Sequence, residues 1–415
     1  MPNLEQPKMS KSALIFGASG VTGWAFVNEI LHDYPKKGTW GKVHALTNRP
    51  LKQSDSLWPK DERLDIVSGI DLLKGNQKDL EDTLQKIEGI EKVTHVYYLG
   101  KYYDKIKHKQ TDINLAYKAS ADLWQEYKDA EEMFRRSATA MDHLSPALEF
   151  IVLQTGAKMY GCHLLENHPT DYINVPLKES HPRLKSPYAD ALFYHPQLDW
   201  IASYAKDKSW NWCDTRPDII VGFVPNQNFY SLATAVAVFL SLWAEVEGKG
   251  STCPYPGSQK AWAAKSNDSS SDMIARQTLH LSLILPKSAE GEGFNVADAK
   301  EPKSWETKWP GLCSYFGLKG VEPPNEGEPT EVRTYIKKNF DTWLKLEKKY
   351  GLKSGIADSD LTFKGFEYFL LTQFDFDRQY DMTKMYETGF TEERTTLQAW
   401  GGVFDRMKTA KIIPS

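Results

Sequence analysis

The N-terminal half of the chain alternates short runs of apolar and β-branched residues with longer amphipathic stretches. This alternation is typical of a parallel sheet whose strands are joined by crossover helices. Helices are predicted between the apolar runs, including WAFVNEILHDY and KDLEDTLQKI. The fold class is therefore α/β, with a doubly wound parallel sheet. The apolar runs predict six strands, at residues 12–17, 42–48, 64–70, 93–100, 148–155 and 210–217.

The pattern changes after residue 225, where longer helical periodicity, tryptophan-rich loops and the turn-forming run EPPNEGEP follow. At 415 residues, the chain is long enough for one large α/β domain and a second region. We therefore divide it into a sheet domain at 10–225 and a smaller, mainly helical region at 226–415. The two are expected to be interwoven, because the strand-like run GFNVAD, within 275–300, can rejoin the sheet.

Two further segments stand out in the pattern. The apolar run 232–244 is too short to span a bilayer, and it predicts a buried helix. A long connection, 101–147, joins the fourth and fifth predicted strands, with helical periodicity from about Asn114 to Met141. This connection either covers a site at the sheet edge or forms a solvated pair of surface helices. The sequence leaves both interpretations open.

Charge, the N-terminal segment and the cysteines limit which molecules the protein is expected to bind and where it is expected to act. A formal charge of -4 gives no electrostatic reason to expect nucleic acid or an anionic membrane. The N-terminus lacks an apolar secretion signal, so we expect a cytoplasmic protein. It could form a homodimer. The cysteines lie far apart and without nearby histidines at ligand spacing, so reduced thiols and no metal site are predicted. They are Cys162, Cys213, Cys253 and Cys313.

The run GASGVTG follows the first predicted strand and opens the first predicted helix. Glycines at this place allow the backbone to approach a dinucleotide pyrophosphate, and the helix N-terminus offers free N–H donors to it. The order of strand, glycines, helix and strand predicts a Rossmann dinucleotide-binding domain over 10–225, leaving 226–415 to bind substrate. The predicted cofactor loop consists of Gly17, Ser19, Gly20, Val21, Thr22 and Gly23.

The second predicted strand ends in Thr47, Asn48 and Arg49, where a site for NAD would place an acidic residue. Arg49 offers a planar cation to a 2′-phosphate, so NADPH is the predicted cofactor. The alternative is that Arg49 is a solvated turn residue. Asp71 follows the third strand, where it can meet the adenine edge or act as a helix N-cap.

Reductases on such a sheet commonly use a tyrosine hydroxyl as proton donor and a lysine whose charge lowers the pKa of that tyrosine. The usual spacing is Y-x-x-x-K. With 20 tyrosines in a lysine-rich chain, some matches to this spacing are expected by chance. The matches are Tyr97/Lys101, Tyr103/Lys107, Tyr204/Lys208 and Tyr380/Lys384.

Topology favours a different pair, because ligands of an open parallel sheet bind beyond the carboxyl ends of its strands. The helix between strands five and six is predicted from about Asp190 to Lys208, which places Tyr204 at the far edge. Tyr194 lies at the near end of that helix, and Lys158 follows strand five at the same edge. These two side chains are the predicted catalytic pair. The alternative is a lysine that snorkels to solvent and a tyrosine that packs in the core.

The motifs around this pair resemble those of the progesterone 5β-reductase/iridoid synthase-like (PRISE) family of extended short-chain dehydrogenases/reductases. LQTGAKMYG is similar to the family's lysine motif, LFYHPQLDW to its tyrosine motif, and WCDTRPDIIVGFVPNQN to its Arg-Pro segment. YPGSQKAW, GFNVAD, YDMTKMYETGF and KTAKIIP extend the likeness over nearly the whole chain. The resemblance places the family's lysine and tyrosine on Lys158 and Tyr194.

The resemblance implies NADPH as cofactor and hydride delivery to the β-carbon of an enone or enal, with the pair stabilising the enolate oxygen. It also implies further contacts at the nicotinamide end of the cofactor, from Thr155, Pro217, Ile219, Gln227 and Asn228. The substrate would be a lipophilic small molecule. The residues expected to line its pocket, beside the apolar helix 232–244, are Tyr102, Tyr160 and Phe229.

Departures from the family pattern alter the predicted pocket. The family usually has histidine where this chain has Met159, a second tyrosine where it has His195, and Pro-Phe where it has Cys162 and His163. Enone or enal reduction is the predicted function. The alternatives are ketone or aldehyde reduction by the same pair, a non-redox cyclase or isomerase, and a protein that binds NADPH without turnover.

Overall fold

The computed structural model describes residues 10–100, 120–167, 173–190, 192–225, 230–359, 362 and 365–415. Its strands are β1 (Lys11–Phe16), β2 (Trp40–Thr47), β3 (Leu64–Ser68), β4 (His95–Tyr98), β5 (Phe150–Gln154), β6 (Asn211–Pro217), β7 (Ile219–Val221), β8 (Thr252–Pro254), β9 (Asp268–Ser270), β10 (Gly293–Val296) and β11 (Lys319–Val321).

The helices alternate with the strands in the first half and dominate the second. They are α1 (Gly23–Leu31), α2 (Gln53–Ser56), α3 (Gln77–Leu84), α4 (Ser120–Leu144), α5 (Tyr194–Tyr204), α6 (Leu232–Val246), α7 (Gln259–Ala263), α8 (Ser271–Ile284), α9 (Trp305–Tyr315), α10 (Val332–Lys338), α11 (Phe340–Tyr350), α12 (Phe366–Tyr368), α13 (Thr383–Glu387) and α14 (Thr396–Thr409).

The central sheet has the strand order β10-β6-β5-β4-β1-β2-β3, and every neighbouring pair is parallel. This is the α/β doubly wound sheet that the sequence predicts, and each of the six predicted runs overlaps one of its strands. The seventh strand, β10, lies in the run GFNVAD and pairs with β6, from Gly293 opposite Asp214 to Val296 opposite Pro217. A late segment therefore returns to the sheet, while the division at residue 225 stays a prediction.

Both faces of the sheet are covered, so its strands are buried and rich in apolar residues. One face packs with α1, α6 and α8 into the larger core, and the other packs with α3, α4 and α5. The apolar run 232–244 is a buried helix, α6, as predicted, and it contacts α10, α11, α12 and α14. Among the described helices, none combines the length and apolar composition needed to cross a bilayer.

One helix begins later than the sequence predicts. α5 begins at Tyr194 rather than near Asp190, because the preceding residues close short turns instead. The N–H of Asp190 donates to the carbonyl of Pro187, and that of Leu192 donates to the carbonyl of Ala189. The shift makes Tyr194 the first residue of the helix, at the carboxyl edge of the sheet.

Candidate active site

The glycine-rich loop after β1 is closed tightly by backbone contacts. Gly17 has a φ of +82°, and a Cβ on it would lie 3.0 Å from the carbonyl oxygen of Leu99. A Cβ on Gly23 would lie 2.2 Å from the carbonyl oxygen of Gly17, a distance that no side chain tolerates. The loop therefore requires glycine at both positions, and it brings bare backbone to the start of α1.

A cavity of about 710 Å³ follows the carboxyl edge of the sheet from this loop to α12. It lies at the edge where open parallel sheets bind their ligands. Gly23 begins α1 behind the loop and is not part of the cavity wall. The other predicted site residues that line the cavity are Gly17, Ser19, Gly20, Val21, Thr22, Asn48, Arg49, Asp71, Thr155, Lys158, Tyr194, Pro217 and Ile219.

The end of β2 forms one side of this cavity. The Thr47 hydroxyl donates to the carbonyl oxygen of Arg49 at 2.8 Å, which fixes the turn that carries Asn48 and Arg49 to the cavity wall. Asp71 accepts a hydrogen bond from the N–H of Leu73 at 3.0 Å. Because residues 72 and 73 form a turn and no helix, Asp71 caps a turn while it also lines the cavity.

Lys158 and Tyr194 reach the cavity from two parts of the connection between β5 and β6. Lys158 lies in a short 3₁₀ turn, Ala157–Tyr160, directly after β5. Its Nζ lies 6.0 Å from the ring centre of Phe193, the residue before Tyr194. The Tyr194 hydroxyl lies 3.5 Å from the position of a Cβ on Gly156. The structure thus brings the predicted pair to the same cavity.

The described residues named below from the Y-x-x-x-K matches lie away from the cavity. The hydroxyl of Tyr204 and the Nζ of Lys208 both donate to Asp142 at 2.7 Å, at the far end of α5. The buried hydroxyl of Tyr97 contacts Ser282, and the Nζ of Lys384 donates to the carbonyl of Gly293. None of these residues lines the cavity. Lys101, Tyr103 and Lys107 lie outside the described residues.

Thr155 lines the cavity, but its hydroxyl already donates its proton to a buried carboxylate of the protein. Its hydroxyl donates to Oδ2 of Asp214 at 2.9 Å, and the Nε of Arg216 donates to the same oxygen at 2.8 Å. Asp214 and Arg216 are both buried. Because a hydroxyl has one proton, Thr155 presents only acceptor lone pairs to the cavity.

Tyr160 does not line this cavity, which corrects the prediction that it contacts substrate. Its hydroxyl donates to Oδ1 of Asn295 at 2.6 Å and accepts from Nη1 of Arg216 at 3.3 Å. Burial raises the pKa of Tyr160 well above its usual value. The reason is that Tyr160, the last residue of the lysine turn, is held away from the cavity by Asn295 of β10 and Arg216 of β6. Four further predicted site residues lie outside the described residues: Tyr102, Gln227, Asn228 and Phe229.

The far wall of the cavity comes from a segment that the sequence analysis did not select. Its side chains are apolar and aromatic, and their signal in the sequence is the run FEYFLLTQF. Behind them, the buried Arg378 pairs with Asp218 at 3.3 Å and lies 3.9 Å from the ring centre of Phe374. The lining residues of this wall are Phe366, Phe369, Leu370 and Phe374.

The model of the PRISE-like Rossmann-fold domain matches residues 13–414. This chain belongs to that family. The resemblance inferred from the motifs is therefore confirmed. A PRISE-like assignment covers both the sheet and the C-terminal helices, because the match runs through almost the whole chain.

Relatives of this PRISE-like chain include enzymes from fungi and plants. Short chain dehydrogenase ausT from Aspergillus calidoustus is 35% identical, over 98% of this chain and 95% of its own length. The 3-oxo-Delta(4,5)-steroid 5-beta-reductase of Arabidopsis thaliana is 28% identical over 97% and 93%. The (S)-8-oxocitronellyl enol synthase of Camptotheca acuminata is 24% identical over 97% and 93%.

Solved structures share the fold of this PRISE-like chain at low sequence identity. The UDP-glucose 4-epimerase of Thermus thermophilus, solved as a complex with NAD, superposes with a TM-score of 0.57. The two are 13% identical, and the match covers 96% of this chain and 99% of the epimerase. This likeness establishes the extended fold and carries no argument about substrate.

The departures from the PRISE pattern fall around the predicted pair. Cys162 and His163 line the cavity, while Met159 is buried and His195 follows Tyr194 on α5. The Nδ1 of His163 and the Nε2 of His195 are buried, and neither has a hydrogen-bond partner within the described chain. Two unsatisfied imidazole nitrogens thus lie close to the predicted pair.

Proposed function

We propose that the protein is an NADPH-dependent reductase that acts on a C=C bond conjugated to a carbonyl group in a lipophilic small molecule. The observation that carries this proposal is the shared cavity of the glycine loop, Lys158 and Tyr194. A dinucleotide bound along the loop would bring its reactive end toward the lysine and tyrosine. The apolar far wall would then hold the substrate.

The residues present fit a dinucleotide at the loop. At Gly17 and Gly23 a Cβ would collide with backbone, so the loop offers bare N–H groups and close approach to a diphosphate. Arg49 would bind the 2′-phosphate that distinguishes NADPH from NADH, which is the reason for proposing NADPH. The NAD complex of the similar epimerase fold supports a nicotinamide dinucleotide of this class.

NADPH, when bound, would supply a hydride to the β-carbon of the substrate. As negative charge develops on the carbonyl oxygen, the Tyr194 hydroxyl donates a hydrogen bond and then a proton. The Lys158 ammonium would stabilise the same negative charge, because both side chains line one cavity. Thr155 cannot donate there, since its proton is bound to Asp214. Thr155 would instead accept a hydrogen bond from a donor on the cofactor.

The names of two relatives support reduction of a conjugated alkene. One is a 3-oxo-Delta(4,5)-steroid 5-beta-reductase, and the other is an (S)-8-oxocitronellyl enol synthase. The first name describes a substrate whose C=C bond lies beside a carbonyl group, and the second describes an enol as the product. The chemistry would therefore be hydride addition at carbon, followed by protonation of an enolate. Tyr102 and Phe229 stay predicted substrate contacts.

Product analysis tests this proposal. Purified protein is mixed with NADPH and separately with cyclohex-2-enone, trans-2-hexenal or cyclohexanone, and the cofactor absorbance is followed. We expect NADPH consumption with the first two compounds and a saturated carbonyl product two mass units heavier than the substrate. An alcohol as the main product would favour the ketone or aldehyde reductase. Conversion without net NADPH loss would favour a cyclase or isomerase.

A further inference from the structure

The substrate end of the cavity carries a strip of aromatic rings. Tyr230, Phe366, Phe369 and Phe374 all line the cavity, and neighbouring rings lie at the distances typical of aromatic pairs. The ring centres of Tyr230 and Phe366 lie 5.4 Å apart, edge to face, and those of Phe369 and Phe374 lie 4.5 Å apart. The rings of Phe366 and Phe369 join the two pairs, with centres 6.5 Å apart and planes 19° from parallel. We call these four residues the aromatic wall.

A wide backbone turn, Phe369–Gln373, brings two of the rings to one face. The N–H of Phe374 donates to the carbonyl oxygen of Phe369 at 3.1 Å, five residues back instead of the usual four. In a regular α-helix, side chains three or four apart share a face, and those five apart do not. Turns of this width are rare, and they occur frequently at functional sites. The turn therefore builds the aromatic wall.

The wide turn is fixed from behind by other parts of the fold. The buried hydroxyl of Tyr255 donates to the carbonyl oxygen of Leu371 at 2.8 Å. The backbone at Gly257 approaches the same oxygen so closely that a Cβ there would lie 1.9 Å from it. The guanidinium of the buried Arg378 lies 3.9 Å from the ring centre of Phe374. Because the rings are held in place, a ligand that packs on them loses little entropy by ordering them.

A short series of contacts links this wall to the predicted catalytic tyrosine. Arg378, behind the wall, pairs with Asp218 at 3.3 Å. Asp218 follows Pro217, whose carbonyl oxygen lies 3.2 Å from the position of a Cβ on Gly156. The hydroxyl of Tyr194 lies 3.5 Å from that same position. A substrate whose carbonyl oxygen reaches the tyrosine would therefore extend along the aromatic wall.

We propose that the aromatic wall recognises a planar aromatic ring on the enone substrate. This inference rests on the proposed function and adds the substrate class: enones that carry an aryl group. Edges and faces of aromatic rings attract one another through their quadrupoles, in addition to the apolar area that they bury. A saturated ring gains only from the buried area. Aliphatic side chains, as at Leu370, would suffice for a wall that only excluded water.

Matched substrates test the inference. Cyclohex-2-enones with a phenyl group at C4 or C5 are each compared with the compound that has a cyclohexyl group at the same carbon. Both groups are attached to a saturated carbon, so the two enones have similar intrinsic reactivity. A wall that is merely apolar would favour the cyclohexyl compound, because cyclohexyl buries more apolar surface.

For at least one position, we expect the wild type to favour the phenyl compound in kcat/KM. Phe366→Leu and Phe369→Leu each remove one ring and keep an apolar side chain. Each should lower the ratio of phenyl to cyclohexyl kcat/KM by roughly 2- to 10-fold, the range for one aromatic pair.

Two further variants serve as controls. Phe366→Tyr keeps an aromatic ring at a half-buried position and should keep the wild-type ratio. Phe316→Leu removes a ring that packs with Tyr315 and Phe404 and does not line the cavity, so it should keep the ratio as well. A general loss of packing would lower the rates for both compounds and leave their ratio unchanged.

A binding measurement separates this inference from the proposed reaction. The same compounds are titrated into the NADP⁺ complex, where no turnover occurs. A phenyl preference in binding that Phe366→Leu or Phe369→Leu lowers would support the inference even if no enone were reduced, which would overturn only the proposed reaction. A cyclohexyl preference in the wild type, or equal ratios in the wild type and both leucine variants, would overturn the inference while the reaction stood. Compounds that neither bind nor react would overturn it as well.

Discussion

The hydroxyl of Tyr194 lies 3.5 Å from the point where a Cβ of Gly156 would stand. Gly156 directly precedes the 3₁₀ turn that carries Lys158. Tyr194 is the first residue of α5. This short distance places the tyrosine hydroxyl beside the turn that carries the lysine. It is the geometric basis for proposing that the two side chains act on one substrate oxygen.

Replacing Tyr194 by phenylalanine removes the proposed proton donor and keeps the buried ring. We expect kcat to fall by roughly two to four orders of magnitude, because general acid catalysis is lost. The measurement is NADPH absorbance during single and multiple turnovers with cyclohex-2-enone. Tyr204→Phe, at the other end of α5, loses hydrogen bonds with Asp142 and Thr139 and should keep its turnover. An unchanged kcat in Tyr194→Phe would remove Tyr194 from the mechanism.

Gly156 has a φ of +155°, in a region that residues with a Cβ rarely adopt. A Cβ there would also lie 3.2 Å from the carbonyl oxygen of Pro217. We expect Gly156→Ala to lower the free energy of unfolding by about 1–3 kcal/mol and to reduce kcat, because the strained backbone and the crowding against Pro217 would shift the turn that carries Lys158. Denaturant unfolding and NADPH turnover measure the two effects.

Gly402 is the matched control for that substitution, since it lies within α14 and a Cβ there would meet no atom within 4 Å. Gly402→Ala should raise the free energy of unfolding by roughly 0.5–1 kcal/mol and leave turnover unchanged. If Gly156→Ala behaved in the same way as Gly402→Ala, the backbone conformation of Gly156 would not be needed for stability or turnover.

Arg49 is proposed to bind the 2′-phosphate of NADPH. Arg49→Ala should raise the Kd for NADPH by roughly 10- to 100-fold and change the Kd for NADH little, because a charge-assisted hydrogen bond is lost from one cofactor only. Fluorescence titration with both cofactors gives the values. Lys36→Ala removes the same charge from an exposed loop before β2 and should change neither Kd. Equal weakening of both cofactors would contradict the proposed role.

Tyr160 is expected to stabilise the fold without contacting substrate. Tyr160→Phe removes a hydroxyl that bonds Asn295 and Arg216, and it leaves the buried guanidinium with one partner fewer. We expect the free energy of unfolding to fall by about 1–3 kcal/mol while kcat and KM stay unchanged. Thermal unfolding and steady-state kinetics provide the comparison. A large rise in KM at unchanged stability would restore Tyr160 to the substrate pocket.

The buried Asp298 predicts a dependence of stability on pH. Burial raises its pKa from 3.8 to about 7, and its Oδ2 has no hydrogen-bond partner in the described chain. Between these pH values the folded state binds more protons than the unfolded chain, so stability falls as the pH rises from about 4 to 7. Asp298→Asn cannot ionise, and its Oδ1 can still accept from the N–H of Ser270.

The variant Asp298→Asn should therefore be more stable than the wild type at pH 8, by up to about 4 kcal/mol, and close to it at pH 4. Urea unfolding at the two pH values measures this difference. Parallel pH profiles for the two proteins would show that Asp298 does not titrate between pH 4 and 7.

The sequence by itself determined the α/β sheet, the glycine loop and the edge at which Lys158 and Tyr194 meet. These features follow from local periodicity and from one rule of topology: the carboxyl ends of parallel strands share an edge. A helix that starts at that edge must carry Tyr194 near it and Tyr204 away from it. Chain order was therefore enough to choose between the two tyrosines.

Only the tertiary structure decided which side chains line the cavity and which are hydrogen-bonded elsewhere in the protein. Tyr160 lies two residues after Lys158, yet its hydroxyl is bound by Asn295 from a distant strand. The wall around Phe369 comes from the C-terminal region, and the unsatisfied nitrogen of His163 is visible only once its neighbours are placed. Periodicity along a chain does not encode contacts between residues far apart in sequence, so these assignments required the packed fold.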